Sequence, residues 1–502
     1  LQGKLIARLL LAMARERNGY RVLAATCLLF SALGNAQQGE SQSLHSIIQA
    51  AQAEYAAGRP ERAAAQLQAA LERLPGKFGT LDPYAKEQAL ERLGPAYFPL
   101  EELLGLCFLS MSQDTRAIPY LEAATHLNPK SEDGHTNLAA VLLRQARTDQ
   151  ALTEFRAALQ VAPRDYTANH NLGEFYIQTG KIAEAVPFLA TAQQLKPGAY
   201  DNGYDLATAE LLVKQDAAAA QTVEALLKLK NTGELHDLKA QIDEEQGKYL
   251  DAANEFETAA HLDPSENNLF DWGSELLLHR TYDPAIEVFR AAAQRYPNSP
   301  RIMIGLGISL YARGLYEEAV KALLAGADLD PKEPRCYLFL SKAFYSQQSH
   351  AQEVMERFQR YAQLEPANAM AQYEYAMSLW KGGQSEGANV DLQQVEALLQ
   401  RSIALDDKLA DAHFQLGNLY ADRHDFQHSV PQYLRVIELD PKLADAHFRL
   451  ATDYTHMGEK DRAQAELAVY QKLRAEHLAA SDKEGDELLQ FVYSSRTPAS
   501  TP

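Results

Sequence analysis

The sequence predicts an all-α fold, an α-solenoid of about twelve helix-turn-helix repeats, and three observations predict it. Pro129, Pro163 and Pro197 recur every 34 residues, and Pro264, Pro297, Pro331, Pro366 and Pro441 continue the series with slips of about a residue and one larger insertion. Within each period a Gly, Ala or Ser returns at one position, from Gly105 and Ala139 through Gly417 and Ala451. Whole phrases also return: LADAHFQLG at 409 reappears as LADAHFRLA at 443.

Side-chain spacing justifies each element of the repeat. Ala185, Leu189 and Ala192 stand at i, i+4 and i+7, which places them on one stripe of the second helix of a repeat, helix B. Leu172, Gly173 and Tyr176 form the facing stripe of helix A. Small residues let the two backbones approach, and large ones fill the adjoining hole. Gly180 and Gly314, near position 15 of the 34, supply the turn between the helices. The proline at position 32 ends helix B, because it has no N–H with which to continue the hydrogen-bond ladder. One hairpin cannot bury both of its faces, so stability must come from stacking neighbours, which produces a superhelix with a concave face.

This pattern resembles the tetratricopeptide-repeat family, from about residue 44 to 473. The family places a small residue at position 8, an aromatic or Leu at 11, Ala at 20, a large apolar residue at 24, Ala at 27 and Pro at 32. Here position 8 holds Gly105, Ala139, Gly173, Ala207, Ala240, Gly273, Gly307, Ser341, Ala376, Gly417 and Ala451. Position 20 holds Ala63, Ala117, Ala151, Ala185, Ala219, Ala252, Ala285, Ala319 and Ala463.

Residues 44–74 make the first repeat, 98–368 repeats two to nine, and 369–473 repeats ten to twelve. Residues 75–97, which contain Pro and Gly, interrupt the array. Repeat five carries Glu210 at position 11 and Asn231 where proline is expected, repeat nine carries Glu353 at position 20, and repeat ten has an insertion over 382–391. Bends, hinges, insertions at a contact surface and tolerated drift are all compatible with these departures. A helix over 474–493, broken near Gly485, is expected to cap the last repeat, and the polar tail 494–502 is expected to lack structure.

The N-terminus reads as an address. Arg15, Arg17 and Arg21 precede the apolar run from Val22 to Leu33, and Gly34 and Ala36 follow at signal-peptidase spacing, so cleavage after Ala36 is expected. Met13 stands at the distance before this basic cluster from which a signal peptide of about 13–36 would begin, which would leave 1–12 untranslated. The expected location is periplasmic or secreted, in a bacterial envelope. Ala24-Ala25-Thr26 before Cys27 is a poor lipid-attachment box, and no lipid is expected there. The run is too short to span a bilayer comfortably, so no transmembrane segment is expected in the mature chain.

Charge narrows the partners. With 48 Lys+Arg against 67 Asp+Glu the chain carries −19, and removing 1–36 leaves 43 against 66, or −23. Such a surface repels DNA and RNA, so nucleic acid is excluded as a partner class. Cys27, Cys107 and Cys336 lie in no zinc-binding spacing.

Helix A is expected to line the concave face, with positions 2, 5, 9 and 12 projecting together. Position 5 of repeats seven to twelve reads Phe270, Ile304, Leu338, Tyr373, Phe414, Phe448, and position 12 of repeats seven to ten reads Leu277, Tyr311, Tyr345, Trp380. Apolar and aromatic side chains repeated along a face suit an extended peptide or an amphipathic helix. The same side chains would equally pack between neighbouring helices. Under the binding reading, Tyr373→Ala with Trp380→Ala weakens partner capture at unchanged melting.

Asn137 and Asn171 occupy position 6 of consecutive repeats and resemble the start of the asparagine ladder with which O-GlcNAc transferase repeats hold peptide backbones. An amide can pair with any extended backbone. The family's carboxylate clamp, Lys at 5 with Asn at 9, is not reproduced: Asn418 is at position 9, but Phe414 is at position 5.

No nucleotide-binding, nucleophile-elbow or zinc-protease motif is present, and no cofactor or catalytic residue is expected. His135, His236, His413 and His447 fall at position 4, where a bulky residue packs. His424 and His428 straddle the turn between helices, which disfavours a metal site. Two functions follow: an exported adaptor or scaffold for protein partners, or a repeat module recruiting substrates for a separately encoded enzyme such as a glycosyltransferase.

Overall fold

The structure, a computed structural model, describes residues 38–72, 97–385 and 390–477. The expected signal segment and its cleavage point, most of 75–97, the centre of the 382–391 insertion and everything after His477 lie outside the described residues. Among those described, 24 helices form twelve hairpins, without a strand.

Two compact units divide the chain: an N-terminal one reaching Asn231 together with 241–247, and a C-terminal one of 232–240 and the residues from Lys248 on. The first contains α1 (Gln38–Ala56), α2 (Pro60–Glu72), α3 (Phe98–Ser110), α4 (Asp114–Leu127), α5 (Glu132–Arg144), α6 (Thr148–Val161), α7 (Tyr166–Gln178), α8 (Ile182–Leu195), α9 (Tyr200–Leu212) and α10 (Asp216–Leu227). The division falls within α11 (Gly233–Glu245). The second continues with α12 (Tyr249–Leu262), α13 (Glu266–Leu278), α14 (Tyr282–Arg295), α15 (Pro300–Arg313), α16 (Tyr316–Leu329), α17 (Pro334–Ser346) and α18 (Ala351–Leu364). It ends with α19 (Ala369–Ser385), α20 (Leu392–Leu405), α21 (Ala410–Asp422), α22 (Phe426–Leu439), α23 (Ala444–His456) and α24 (Lys460–His477). Odd-numbered helices are A and even-numbered helices are B. Within each unit a helix packs on the next in sequence, and A helices also touch the A helix one repeat on, as α13 does α15 and α15 does α17.

The small residue at position 8 exists to admit a side chain from helix B. A Cβ on Gly173 would lie 2.6 Å from Leu189 Cδ2, and one on Gly307 would lie 2.5 Å from Leu323 Cγ. Position 34 starts helix A: Ser131, Asp165, Ser265 and Ser299 each accept from a backbone N–H of the first turn.

Position 15 is left-handed whether or not glycine occupies it. Gly180, Gly247, Gly314 and Gly458 have φ of 74°, 74°, 85° and 82°, while Ser112, Ala146, Lys214, Arg280 and His424 adopt 56–63° at the equivalent place. A residue with a Cβ is strained there by about 1–2 kcal/mol, partly offset by the entropy glycine loses on folding. Ala146→Gly should therefore stabilise the N-terminal unit by about 0.5–1 kcal/mol, seen as a raised urea midpoint.

Two departures have a geometric origin. In repeat nine the turn is one residue longer, helix B starts after His350 at φ 60°, and Val354 takes the fully buried place that Glu353 holds by simple counting. In repeat five helix B is short, ending at Leu227, and Glu210 is buried with Thr222 Oγ1 donating to its Oε2 at 2.9 Å. Burial raises the Glu210 pKa above the usual carboxylate value, against that hydrogen bond.

Candidate functional site

The A helices of the C-terminal unit divide the aromatic ladder into core and surface. Phe270, Leu277, Ile304, Tyr373 and Trp380 are buried. Phe270 meets the edge of Phe289 at 6.0 Å, and Tyr373 and Trp380 sit in one cluster with Val395, Leu399 and Leu416. This corrects the reading of those five as partner-binding residues. Because successive A helices touch, much of positions 5 and 12 is spent on repeat-to-repeat packing. Tyr373→Ala with Trp380→Ala would open that core, so it cannot isolate binding. Tyr311, Tyr345 and Phe414 are half-buried, while Leu338 and Phe448 stand 38% and 43% exposed.

Around Tyr345 the stack assembles a polar group that the one-dimensional pattern does not reveal. The Tyr345 hydroxyl donates to Glu374 Oε2 at 3.0 Å. Glu374, between two tyrosines on α19, is pushed up to about 7, first by burial and also by Asp411, against hydrogen bonds from Tyr345 and Ser341 and the charge of Lys381. The Lys381 ammonium lies 4.4 Å from the centre of the Tyr345 ring. Burial pulls its pKa below the usual lysine value, and Glu374 opposes that shift. Spacing alone marks Tyr345 as apolar lining. Only the stacking of α17 on α19 brings a carboxylate and an ammonium to its two sides.

In the N-terminal unit Asn137 and Asn171 are half-buried, and neither side chain forms a hydrogen bond among the described residues. Beside Asn171, His170 is tightly held. Asn202 donates from Nδ2 to Leu189 O at 3.0 Å and Gln193 Oε1 at 2.8 Å, so its Oδ1, 3.0 Å from His170 Nδ1, accepts. His170 Nε2 faces Glu174 Oε1 at 3.2 Å. With acceptors on both nitrogens the ring is an imidazolium. Burial is the largest influence and disfavours the charge, but Glu174, Asn202 and Asp205 outweigh it and raise the pKa to about 9.

The position-4 histidines are structural ties. His135 Nδ1 lies 2.6 Å from Glu154 Oε2 on helix B, and its Nε2 lies 3.2 Å from the carbonyl of Pro129 at the end of the preceding repeat. His447 repeats this with Glu466 and Pro441, and His413 with Gln432 and Asp407. Tyr337 and Asn169 reach the carbonyls of Pro331 and Pro163 from the same position. The position-32 residue thus supplies an acceptor as well as a helix stop. His428 pairs with Asp425 at 2.7 Å, and no cluster of three or more potential metal ligands occurs among the described residues. Cys107 and Cys336 are buried free thiols, and burial pushes Cys107 up to about 12. No described helix is long and apolar enough to cross a membrane.

Tetratricopeptide-repeat family models match residues 136–200, 238–300, 276–343 and 410–443. A model described as a bacterial transcriptional activator domain matches 41–165, where the described residues are hairpins of the first repeats. None of the curated protein sequences matches the chain. Among solved structures, MamA is similar at 20% identity over 35% of this chain and 98% of its own, with a TM-score of 0.29. The Naa15/Naa10 complex bound to HypK-THB is similar at 17% identity over 85% and 68%, with a TM-score of 0.37. Yeast Tom70 is similar at 15% identity over 80% and 96%, with a TM-score of 0.33. These likenesses extend to the fold alone.

Proposed function

The chain belongs to the tetratricopeptide-repeat family, and on that premise we propose that it is an exported, non-catalytic adaptor that gathers protein partners in a bacterial cell envelope. Its repeats make it a protein–protein interaction scaffold. The observation that carries this reading is that repeat hairpins account for the described residues from α1 to α24, so the A-helix faces are the surfaces on offer. The basic cluster at 15–21 and the apolar run after it support export.

Cross-linking in the native host, followed by identification of what is captured, tests the scaffold; a chain that captures no protein sinks it. Fractionation tests the location, and recovery only from the cytoplasm with 15–36 intact overturns export. Leu338→Ala with Phe448→Ala should reduce capture about tenfold with a much smaller loss of stability than the buried pair Tyr373 and Trp380 would cause, because both side chains are partly exposed and Phe448 has the Tyr470 ring beside it. A second reading, a recruiting module for a separately encoded enzyme such as a glycosyltransferase, draws on Asn137 and Asn171, whose amides make no hydrogen bond among the described residues. Capture dominated by one enzyme, and lost with Asn137→Ala and Asn171→Ala, would favour it.

A further inference from the structure

We infer that Lys381, Tyr345 and Leu338 form a subsite for a side-chain carboxylate on an acidic, leucine-containing segment of a partner protein. This rests on the scaffold reading and specifies what one part of the scaffold recognises.

Lys381 carries a charge that no acid balances in an ion pair among the described residues. Two other cations on A helices of the C-terminal unit, Arg301 and Arg335, have acids: Arg301 Nε donates to Glu266 Oε1 at 2.6 Å, and Arg335 Nη2 to Glu333 Oε2 at 2.6 Å. Lys381, half-buried, forms no ion pair among the described residues and rests instead on the Tyr345 ring. A partly desolvated ammonium over an aromatic face keeps an attraction for an incoming anion that a fully hydrated surface lysine lacks. Glu374 does not neutralise it, because its carboxyl is buried, engaged by the Tyr345 hydroxyl, and at pH 7 only partly ionised.

Apolar surface lies on the same helices. Leu338 is two turns before Tyr345 on α17, and Met370, 38% exposed, is on α19. An acid flanked by leucines fits that combination. A chain of net charge −19 repels acidic partners in general, so a local cation gives such a segment one favoured place.

Binding there is coupled to a proton. The groups facing Glu374 are Tyr345 and Ser341 from α17, Tyr361 from α18, Tyr373 and Lys381 from its own helix α19, and Asp411 from α21. A carboxylate seated on Lys381 adds negative charge and takes up the attraction that favours the Glu374 anion. Glu374 therefore gains a proton as the ligand arrives, and affinity falls as pH rises from 6 to 8.

The test uses the full chain and two acetylated, amidated peptides of alternating Leu and Glu or Leu and Gln, followed by fluorescence anisotropy. Blocked ends leave side chains as the peptide's charges. The Leu/Glu peptide should bind about tenfold more tightly than the Leu/Gln peptide at pH 6.5. Lys381→Gln should erase that preference, Lys381→Arg should retain it, and Glu374→Gln, whose amide oxygen still accepts from Tyr345, should remove the pH dependence. Equal binding of both peptides, binding of neither, or an unchanged preference in Lys381→Gln overturns the subsite. Those results leave the scaffold standing if the wild-type chain still cross-links to proteins, whereas absence of any cross-linked protein condemns the scaffold itself.

Discussion

Phe289→Ala should lower the stability of the C-terminal unit by about 3–5 kcal/mol, the largest single-residue effect expected here. The ring is fully buried and fills space that two glycines leave open: a Cβ on Gly305 would lie 2.6 Å from Phe289 Cε1, and one on Gly273 2.9 Å from its Cε2 and Cζ. Those glycines sit on α13 and α15, so one side chain of α14 joins two A helices. Removing it forfeits the buried ring and leaves a cavity whose glycine-lined walls offer no side chains to collapse inward. Gly305→Ala in the intact protein should cost about 1–3 kcal/mol through overpacking. In the Phe289→Ala background the added methyl meets empty space, so the two losses should sum to less than their separate values. Urea unfolding of the four proteins in this cycle measures the coupling, and strictly additive losses would contradict the wedge.

Raising the pH from 6.5 to 9 should weaken the N-terminal unit by roughly 2–3 kcal/mol through His170 alone. In the folded chain this buried imidazole keeps its proton to about 9, whereas the unfolded chain releases it near 6.5. The folded state therefore binds more protons across that interval. The stabilisation is fully present below 6.5 and is lost as pH rises through about 9. His135 contributes in the same direction: its hydrogen bond to Glu154 is the main cause of its raised pKa, with burial opposing it. The urea transition that His170→Gln displaces at pH 6 identifies the unit, and its midpoint should fall with pH in the wild type and fall less steeply in the variant, where His135 still contributes. Parallel pH profiles would refute the assignment.

Legibility in the sequence follows the range of the interaction. The position-8 glycines, the left-handed turn at position 15 and the helix stop at position 32 are local or depend on the facing helix of the same hairpin, so a 34-residue period displays them. The repeat-nine shift was less legible because it depends on where one extra turn residue goes: counting from Pro331 puts Glu353 at position 20, whereas the His350 turn gives that place to Val354. The ladder was ambiguous for another reason. Phe270 and Phe448 occupy the same position, yet the first is buried and the second is 43% exposed. Period reports which side of helix A a residue is on, but not how closely the next helix covers that side.

By itself, then, the sequence determined an all-α stack of twelve hairpins, because stripes of small and large residues at helical spacing satisfy burial in that way. Tertiary structure alone decided which of those side chains are spent on packing. It also decided that Tyr345, Glu374 and Lys381 meet, and that His170 is held between Glu174 and Asn202. The difference is physical: hairpin formation depends on contacts near in sequence, whereas exposure and charge depend on the solvent and fields left after neighbouring repeats have closed.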